Sequence, residues 1–331
     1  MCIRDSYYTR DDKDQIISVT SAPQSGYSTR KMNAGLIRNR GVELSLGGMP
    51  VSTKNWKWEM NFNIAKNSNK LVELADGVDS YSIYWTSFTT RLYNYAMVGK
   101  SLGVITGNTW ERDDNGNIIF HELSASQKAL YGGEYVPTYN QNTLDELGNF
   151  HPDFTGGFNT SISFKNFRLS ANIDFSVGGQ IVSYTNMWGS SSGILDKTAE
   201  LNDRGVNVRE PVSKGGGIHM TGVDQDGNKV DTYVNAKLYY TTASRVWEEW
   251  VYDRTYVKLR EVSLSYVFPS QTLKKLNIGL SRASVAINAS NPWLIYSACP
   301  NVDVSEIGMG YFEGGNAAAT RSIGFTVNLA F

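Results

Sequence analysis

Arg321-Ser322-Ile323-Gly324-Phe325-Thr326-Val327-Asn328-Leu329-Ala330-Phe331 closes the chain, and from Ile323 every second residue is apolar. Successive side chains of a strand leave on opposite faces, so Ile323, Phe325, Val327, Leu329 and Phe331 share one face. Ser322, Gly324, Thr326, Asn328 and Ala330 fall on the other. Upstream, Phe167, Leu169, Ala171, Ile173, Phe175 and Val177 alternate with Arg168, Ser170, Asn172, Asp174, Ser176 and Gly178. Trp56, Trp58, Met60, Phe62 and Ile64 alternate with Lys57, Glu59, Asn61 and Asn63, and Ala283, Val285, Ile287 and Ala289 with Arg282, Ser284, Ala286 and Asn288. A greasy face backed by a hydrophilic one, repeated at period two, is the pattern of strands between lipid and water.

Between Tyr256 and Phe268 the apolar set changes parity near Arg260 and Glu261, which predicts a β-bulge, because one extra residue flips every later side chain. Connections sort by length. Residues 52–55, 165–166 and 269–277 are short, whereas 71–152, 186–251 and 298–320 are long, polar and rich in Gly, Asn and Asp. Walking back from the C-terminus, the strands read 321–331 down, 278–296 up, 252–268 down, 166–185 up, 154–165 down, 54–69 up and 35–50 down, preceded by a partial strand near 7–17. Short turns then lie at one end and long loops at the other, as in outer-membrane barrels. The expected fold is all-β, a transmembrane antiparallel β-barrel portion of about eight strands from a larger barrel, with long extracellular loops.

Composition agrees. The 331 residues include 19 Tyr, 8 Trp and 31 Gly, a profile of extended segments joined by turns. Nowhere do about 18 consecutive apolar residues occur, so a membrane-spanning helix is excluded. Lys and Arg number 31 against 32 Asp and Glu, which leaves no field to gather nucleic acid. Cys2 and Cys299 lie far apart without a CxxC partner, so neither a disulfide framework nor a zinc site is indicated. The opening Met1-Cys2-Ile3-Arg4-Asp5-Ser6 resembles a sequencing-adaptor translation and is set aside as a scar, leaving 7–331 as barrel. An export signal is expected in sequence upstream of this chain.

Four stretches resemble, in order, the SusC/RagA-type TonB-linked outer-membrane transporters. They are Asn33-Ala34-Gly35-Leu36-Ile37-Arg38-Asn39-Arg40-Gly41-Val42-Glu43-Leu44, Pro152-Asp153-Phe154-Thr155-Gly156-Gly157-Phe158-Asn159, Tyr256-Val257-Lys258-Leu259-Arg260-Glu261-Val262-Ser263-Leu264-Ser265-Tyr266, and Gly324-Phe325-Thr326-Val327-Asn328-Leu329-Ala330-Phe331. The resemblance implies the final third of a barrel of about 22 strands, with plug and signal peptide outside this chain. It implies TonB-dependent uptake of glycan oligosaccharides or peptides, as part of a SusCD-like complex. The partners implied are a SusD-like surface lipoprotein, the TonB complex, outer-membrane lipid and the solute. No cofactor and no enzyme activity are expected.

Local motifs read blandly. Gly189-Ser190-Ser191-Ser192-Gly193 matches a nucleophile elbow only formally and reads as a flexible loop. His121, His151 and His219 lack ligand spacing, so no metal is expected. Asp113-Asp114-Asn115-Gly116-Asn117 and Asp224-Gln225-Asp226-Gly227-Asn228 lack the distal Glu of a calcium loop and read as hairpin turns. Gly215-Gly216-Gly217 reads as a flexible connector.

Trp56, Trp58, Tyr252, Tyr256, Trp293, Tyr296 and Phe331 sit near predicted strand ends, where amphipathic rings suit the membrane interface. Tyr81, Tyr84, Trp85, Trp110, Trp188, Trp247 and Trp250 lie in or near long loops, with loop packing ranked before contact with solute. The competing reading is a soluble all-β carbohydrate-binding module or glycosidase, which requires the apolar faces to pack inward.

Overall fold

A computed structural model describes residues 1–14, 16–20, 29–33, 35–86, 91–141, 144–276, 279–307, 311–317 and 319–331. Its centre is one eight-stranded sheet. The strands are β1 (Cys2–Lys13), β2 (Leu36–Ser52), β3 (Trp56–Glu73), β4 (Phe154–Phe164), β5 (Phe167–Val177), β6 (Tyr256–Val267), β7 (Arg282–Ser297) and β8 (Ser322–Ala330). Each pairs with the next in sequence, antiparallel throughout. The sheet is open, with β1 and β8 at its edges.

Register carries the alternation across the strands. Trp56, Phe164, Phe167, Tyr266, Val285 and Val327 form one cross-strand row. Trp58, Ile162, Leu169, Leu264, Ile287 and Phe325 form the next on the same face. The face stays apolar as far as Lys66, whose ammonium lies 4.9 Å from the Phe154 ring centroid. From Trp56 to Lys66 is five two-residue steps, about 34 Å along a strand and roughly 26 Å along the membrane normal at the usual tilt. That is the height of a lipid-facing band. Phe325 is 77% exposed and Val327 62%, so this face packs against no second sheet. The soluble reading, which needs it buried, is overturned.

The bulge falls where the parity change placed it. Asn172 pairs with Glu261 and Ile173 with Leu259, leaving Arg260 as the extra residue. The β6–β7 ladder skips the same position. Lys258, Arg260 and Glu261 thereby all reach the polar face while Leu259 and Val262 stay outside. The first strand begins at Cys2, and Cys2–Ser6 pair with residues of β2.

At one end the connections 53–55, 165–166 and 268–281 are short; at the other the described residues of the long segments 74–153, 178–255 and 298–321 fold together. Three departures from expectation lie here. The strand expected over 166–185 stops at Val177, where Gly178 and Gly179 take left-handed φ of 76° and 78°. The Gly-Ser stretch is the end of a helix, Tyr184–Ser191, and not a flexible loop, because Tyr184, Asn186 and Met187 are buried. Gly215–Gly217 is no slack connector, since a Cβ at Gly216 would meet the Glu210 carbonyl oxygen at 2.0 Å. The connection 269–277 holds a helix, Ser270–Leu276. No helix among the described residues is long and apolar enough to cross a membrane.

The largest buried cluster belongs to this loop body, not to the sheet. Leu92, Ile105 and Trp110 come from the first long segment, Met187, Trp247 and Trp250 from the second, and Tyr311 from the third. Ile218–Val223 and Lys229–Val234 form a hairpin closed by the turn expected at Asp224–Asn228. There the Asp224 carboxylate accepts from the Asp226 and Asn228 amides at 2.9 and 2.8 Å, and Gly227 supplies a φ of 83°. Asp113 receives Asn115 and Asn117 in the same way.

Candidate functional site

The polar face of the sheet is the first half of the site. Lys57, Ser163, Arg168, Ser265, Ala286 and Thr326 share a row, followed by Glu59, Ser161, Ser170, Ser263, Asn288 and Gly324. These groups bond to one another. Arg168 donates to Ser161 Oγ at 2.7 Å, Ser263 to Asn288 Oδ1 at 2.6 Å, and Asn288 Nδ2 to Thr326 Oγ1 at 2.9 Å. A 290 Å³ cleft opens on this wall, lined by Glu59, Asn61, Asn159, Arg168 and Asn172 among others. Such a wall offers both donors and acceptors to a polar solute and no reactive group.

The second half lies where segment 298–321 meets β6. Lys258 Nζ, on a side chain almost wholly covered, donates to Asp303 and Glu306 at 2.7 Å each and to Ser305 Oγ at 3.0 Å. Arg260 grips Asp174 of β5 through two bonds of 2.8 and 2.9 Å and also pairs with Glu306. Burial pushes the Asp303 carboxyl up, but the Lys258 and Ser305 bonds outweigh it and hold it below its usual range. The Lys258 bond likewise lowers Glu306. Beside them Cys299 is buried, and burial drives its thiol up to about 12. A 290 Å³ cavity between wall and segment is lined by Lys258, Asn291, Leu294, Asp303, Glu306 and Glu313, with others.

Placement of the aromatic residues is mixed. Trp56 and Trp58 stand on the apolar face near the short turns, Trp56 against Phe164 at 4.3 Å between centroids. Trp293 and Tyr296 are exposed toward the long-loop end, and Phe331 is exposed at the opposite, short-turn end. Tyr256 turns the other way, its hydroxyl donating to Asp174 at 3.2 Å on the polar face. Tyr252 packs against the loop cluster of Ile181, Cys299, Val304 and Ile307. Both are corrections to the interface set: the first follows from strand parity before the bulge, the second from a short separate strand, Val251–Asp253.

Trp110, Trp247 and Trp250 are core residues of the loop body. Trp110 donates its indole N–H to Glu249 at 2.6 Å and Trp250 to the Ala243 carbonyl at 2.7 Å, so the polar edges of these two are satisfied within it. Trp188 is 41% exposed beside a groove lined by Tyr184, Ile194 and Phe312. Tyr81 is half-buried on the strand Ser80–Thr86. The side chains of Tyr84 and Trp85 lie outside the described residues. The pairing of Phe164 with Phe167, and of Phe167 with Tyr266, was missed, although a Phe on each side of Lys165-Asn166 signals it. No group of three or more His, Cys, Asp or Glu able to hold a metal occurs among the described residues.

A sheet apolar outside and hydrogen-bonded inside, with short turns at one end and a folded loop body at the other, defines a segment of an outer-membrane β-barrel. No family model matches the chain. It is 27% identical over 305 residues to TonB-dependent receptor P3 of Formosa agariphila, a match covering 90% of this chain and 28% of that protein. Over 186 residues it is 31% identical to TonB-dependent receptor SusC of Bacteroides thetaiotaomicron, covering 54% of this chain and 17% of that one. Its fold matches the RagAB peptide importer in the closed-closed state with a TM-score of 0.68 at 18% identity, over 99% of this chain and 33% of that chain. The chain therefore spans about a third or less of the proteins it matches. In sequence the chain is thus similar to TonB-dependent receptors, SusC among them, and in fold to the RagAB importer, as a segment of an outer-membrane β-barrel.

Proposed function

We propose that the chain forms part of a receptor that imports oligosaccharides, or in the nearer alternative peptides, across the outer membrane with energy delivered through TonB. A SusD-like surface lipoprotein would cover the loop body, and plug and TonB contact would be supplied by sequence outside this chain. The observation that carries the reading is the sidedness of the sheet: lipid-facing rows from Trp56 to Lys66 back a wall of Asn, Ser, Thr and charged groups. Closure into a barrel satisfies every strand edge in hydrocarbon, and the polar wall exchanges hydrogen bonds with a passing solute. Transport by this route breaks no covalent bond, so the chain is read as no enzyme.

The proposal keeps the interface aromatics Trp56, Trp58, Trp293, Tyr296 and Phe331, and narrows exposed tryptophan contact with solute to Trp188. It also keeps residues 1–6 as foreign, supported by Asp5, which pairs with Leu44 in a lipid-facing row that continues to Ile64. A carboxylate there is unfavourable. The test is accumulation of defined radiolabelled oligosaccharides and peptides by cells carrying the intact receptor, with and without TonB. TonB-dependent uptake of one class supports the reading and names the solute class; uptake of neither refutes it.

A further inference from the structure

We propose that residues 298–307 with 311–317 form a strap across the loop-side mouth of the lumen, pinned to the barrel wall by Lys258 and Arg260, and that releasing the pin opens the cavity beneath it. The inference rests on the transport reading for its purpose but not for its geometry.

The wall contributes Lys258, Arg260 and Asp174, and the strap contributes Asp303, Ser305 and Glu306. Glu306 is shared by both cations, and Lys258 is 1% exposed. The bulge at Arg260 makes this possible, since the extra residue, left out of the ladder, joins Lys258 and Glu261 on the polar face. Beyond the pin the strap is tied to the loop body. Val304 and Ile307 pack with Ile181, and Phe312–Glu313 pair parallel with Val182–Ser183, where Ser183 Oγ donates to Glu313 at 2.8 Å. It then descends into β8. The strap thus links wall, loop body and last strand, and it roofs the 290 Å³ cavity whose floor includes Lys258 and Leu294.

A covered ion cluster is a poor choice for plain adhesion, because desolvation consumes much of its attraction and apolar packing holds as well. Its attested use is to fix one arrangement among alternatives. Here the alternatives are strap down and strap lifted.

Cys299 reports which is present, since it belongs to the strap, is buried against Ile181 and Asn186 of the loop body, and is slow to react as a thiol there. In the receptor in its own outer membranes, with every thiol other than Cys299 replaced by serine, maleimide labelling of Cys299 is timed for the parent, Lys258→Met, Asp303→Asn and Lys258→Arg. Lys258→Met and Asp303→Asn are expected to label roughly tenfold faster or more, with Lys258→Arg near the parent rate and heat-modifiable gel migration unchanged. Equal rates in the parent and both pin variants overturn the strap. Should Lys258→Met fail to assemble, Asp303→Asn decides alone. No solute enters the assay, so a receptor that imports neither sugar nor peptide still answers it.

Discussion

Trp58 and Thr160 stand on adjacent strands of the lipid-facing side, and the Trp58 indole N–H donates to the Thr160 hydroxyl at 2.9 Å. Both polar groups are thereby paired where water is scarce. Thr160→Val keeps the shape and orphans the indole, so it is expected to destabilise the barrel by about 1–2 kcal/mol. The readout is the urea midpoint of folding into lipid vesicles. Trp58→Phe together with Thr160→Val should cost less than the two single changes added. Additive losses would mean the bond contributes nothing.

Ile173 and Asn172 are neighbours on β5 that face opposite ways, Ile173 in a row with Phe158 and Leu259 and Asn172 in a row with Asn159 and Glu261. Arginine at each position separates lipid from lumen. Ile173→Arg, near mid-height of the apolar band, should cost about 2–4 kcal/mol, whereas Asn172→Arg should be nearly neutral to folding. Equal costs in the same vesicle assay would place both residues in one environment.

The sheet was legible because its information is local. Phe325 and Val327 announce their face two residues apart, and the conflict at Arg260 announces its bulge. The loop body was not legible. Asn108 accepts from the Trp247 amide at 3.2 Å across 139 positions, and Lys258 meets Asp303 across 45; no period in the sequence records such meetings. The helix Tyr184–Ser191 carries two serines and a glycine at its end, and packing of Tyr184 and Met187 outweighs that poor local preference. Tyr256 was misplaced for a related reason: its position near a strand end suggested an interface ring, but Asp174 across the ladder draws it inward.

Removing Arg260 altogether tests the bulge more severely than replacing it. Deletion joins the Leu259–Ile173 and Glu261–Asn172 pairs into an unbroken ladder, so Tyr256 to Leu259 keep their facing, Lys258 to the lumen and Leu259 to lipid. Heat-modifiable assembly is therefore expected to survive the deletion, as it does in Arg260→Gly. Loss of assembly in the deletion beside normal assembly of Arg260→Gly would show that β6 needs the extra residue itself.

His219 lies between two carboxylates, with Nδ1 2.8 Å from Asp203 and Nε2 2.8 Å from Asp231, and its ring stacks on Tyr233 at 4.7 Å. The Asp231 bond, joined by the charge of Asp203 and opposed by a little desolvation, raises its pKa above the ordinary 6.5. Protonated His219 ties the hairpin Ile218–Val234 to the segment carrying Asp203. A folded value above the unfolded one means the added stability is full below about 6.5 and is lost as pH climbs through the raised folded value. Hydrogen-exchange protection of residues 218–234 should therefore fall across that alkaline side in the parent. In Asp231→Asn the fall should move to lower pH, because the largest cause of the upward shift is gone. A parent profile flat through neutral pH would show that the imidazole holds nothing.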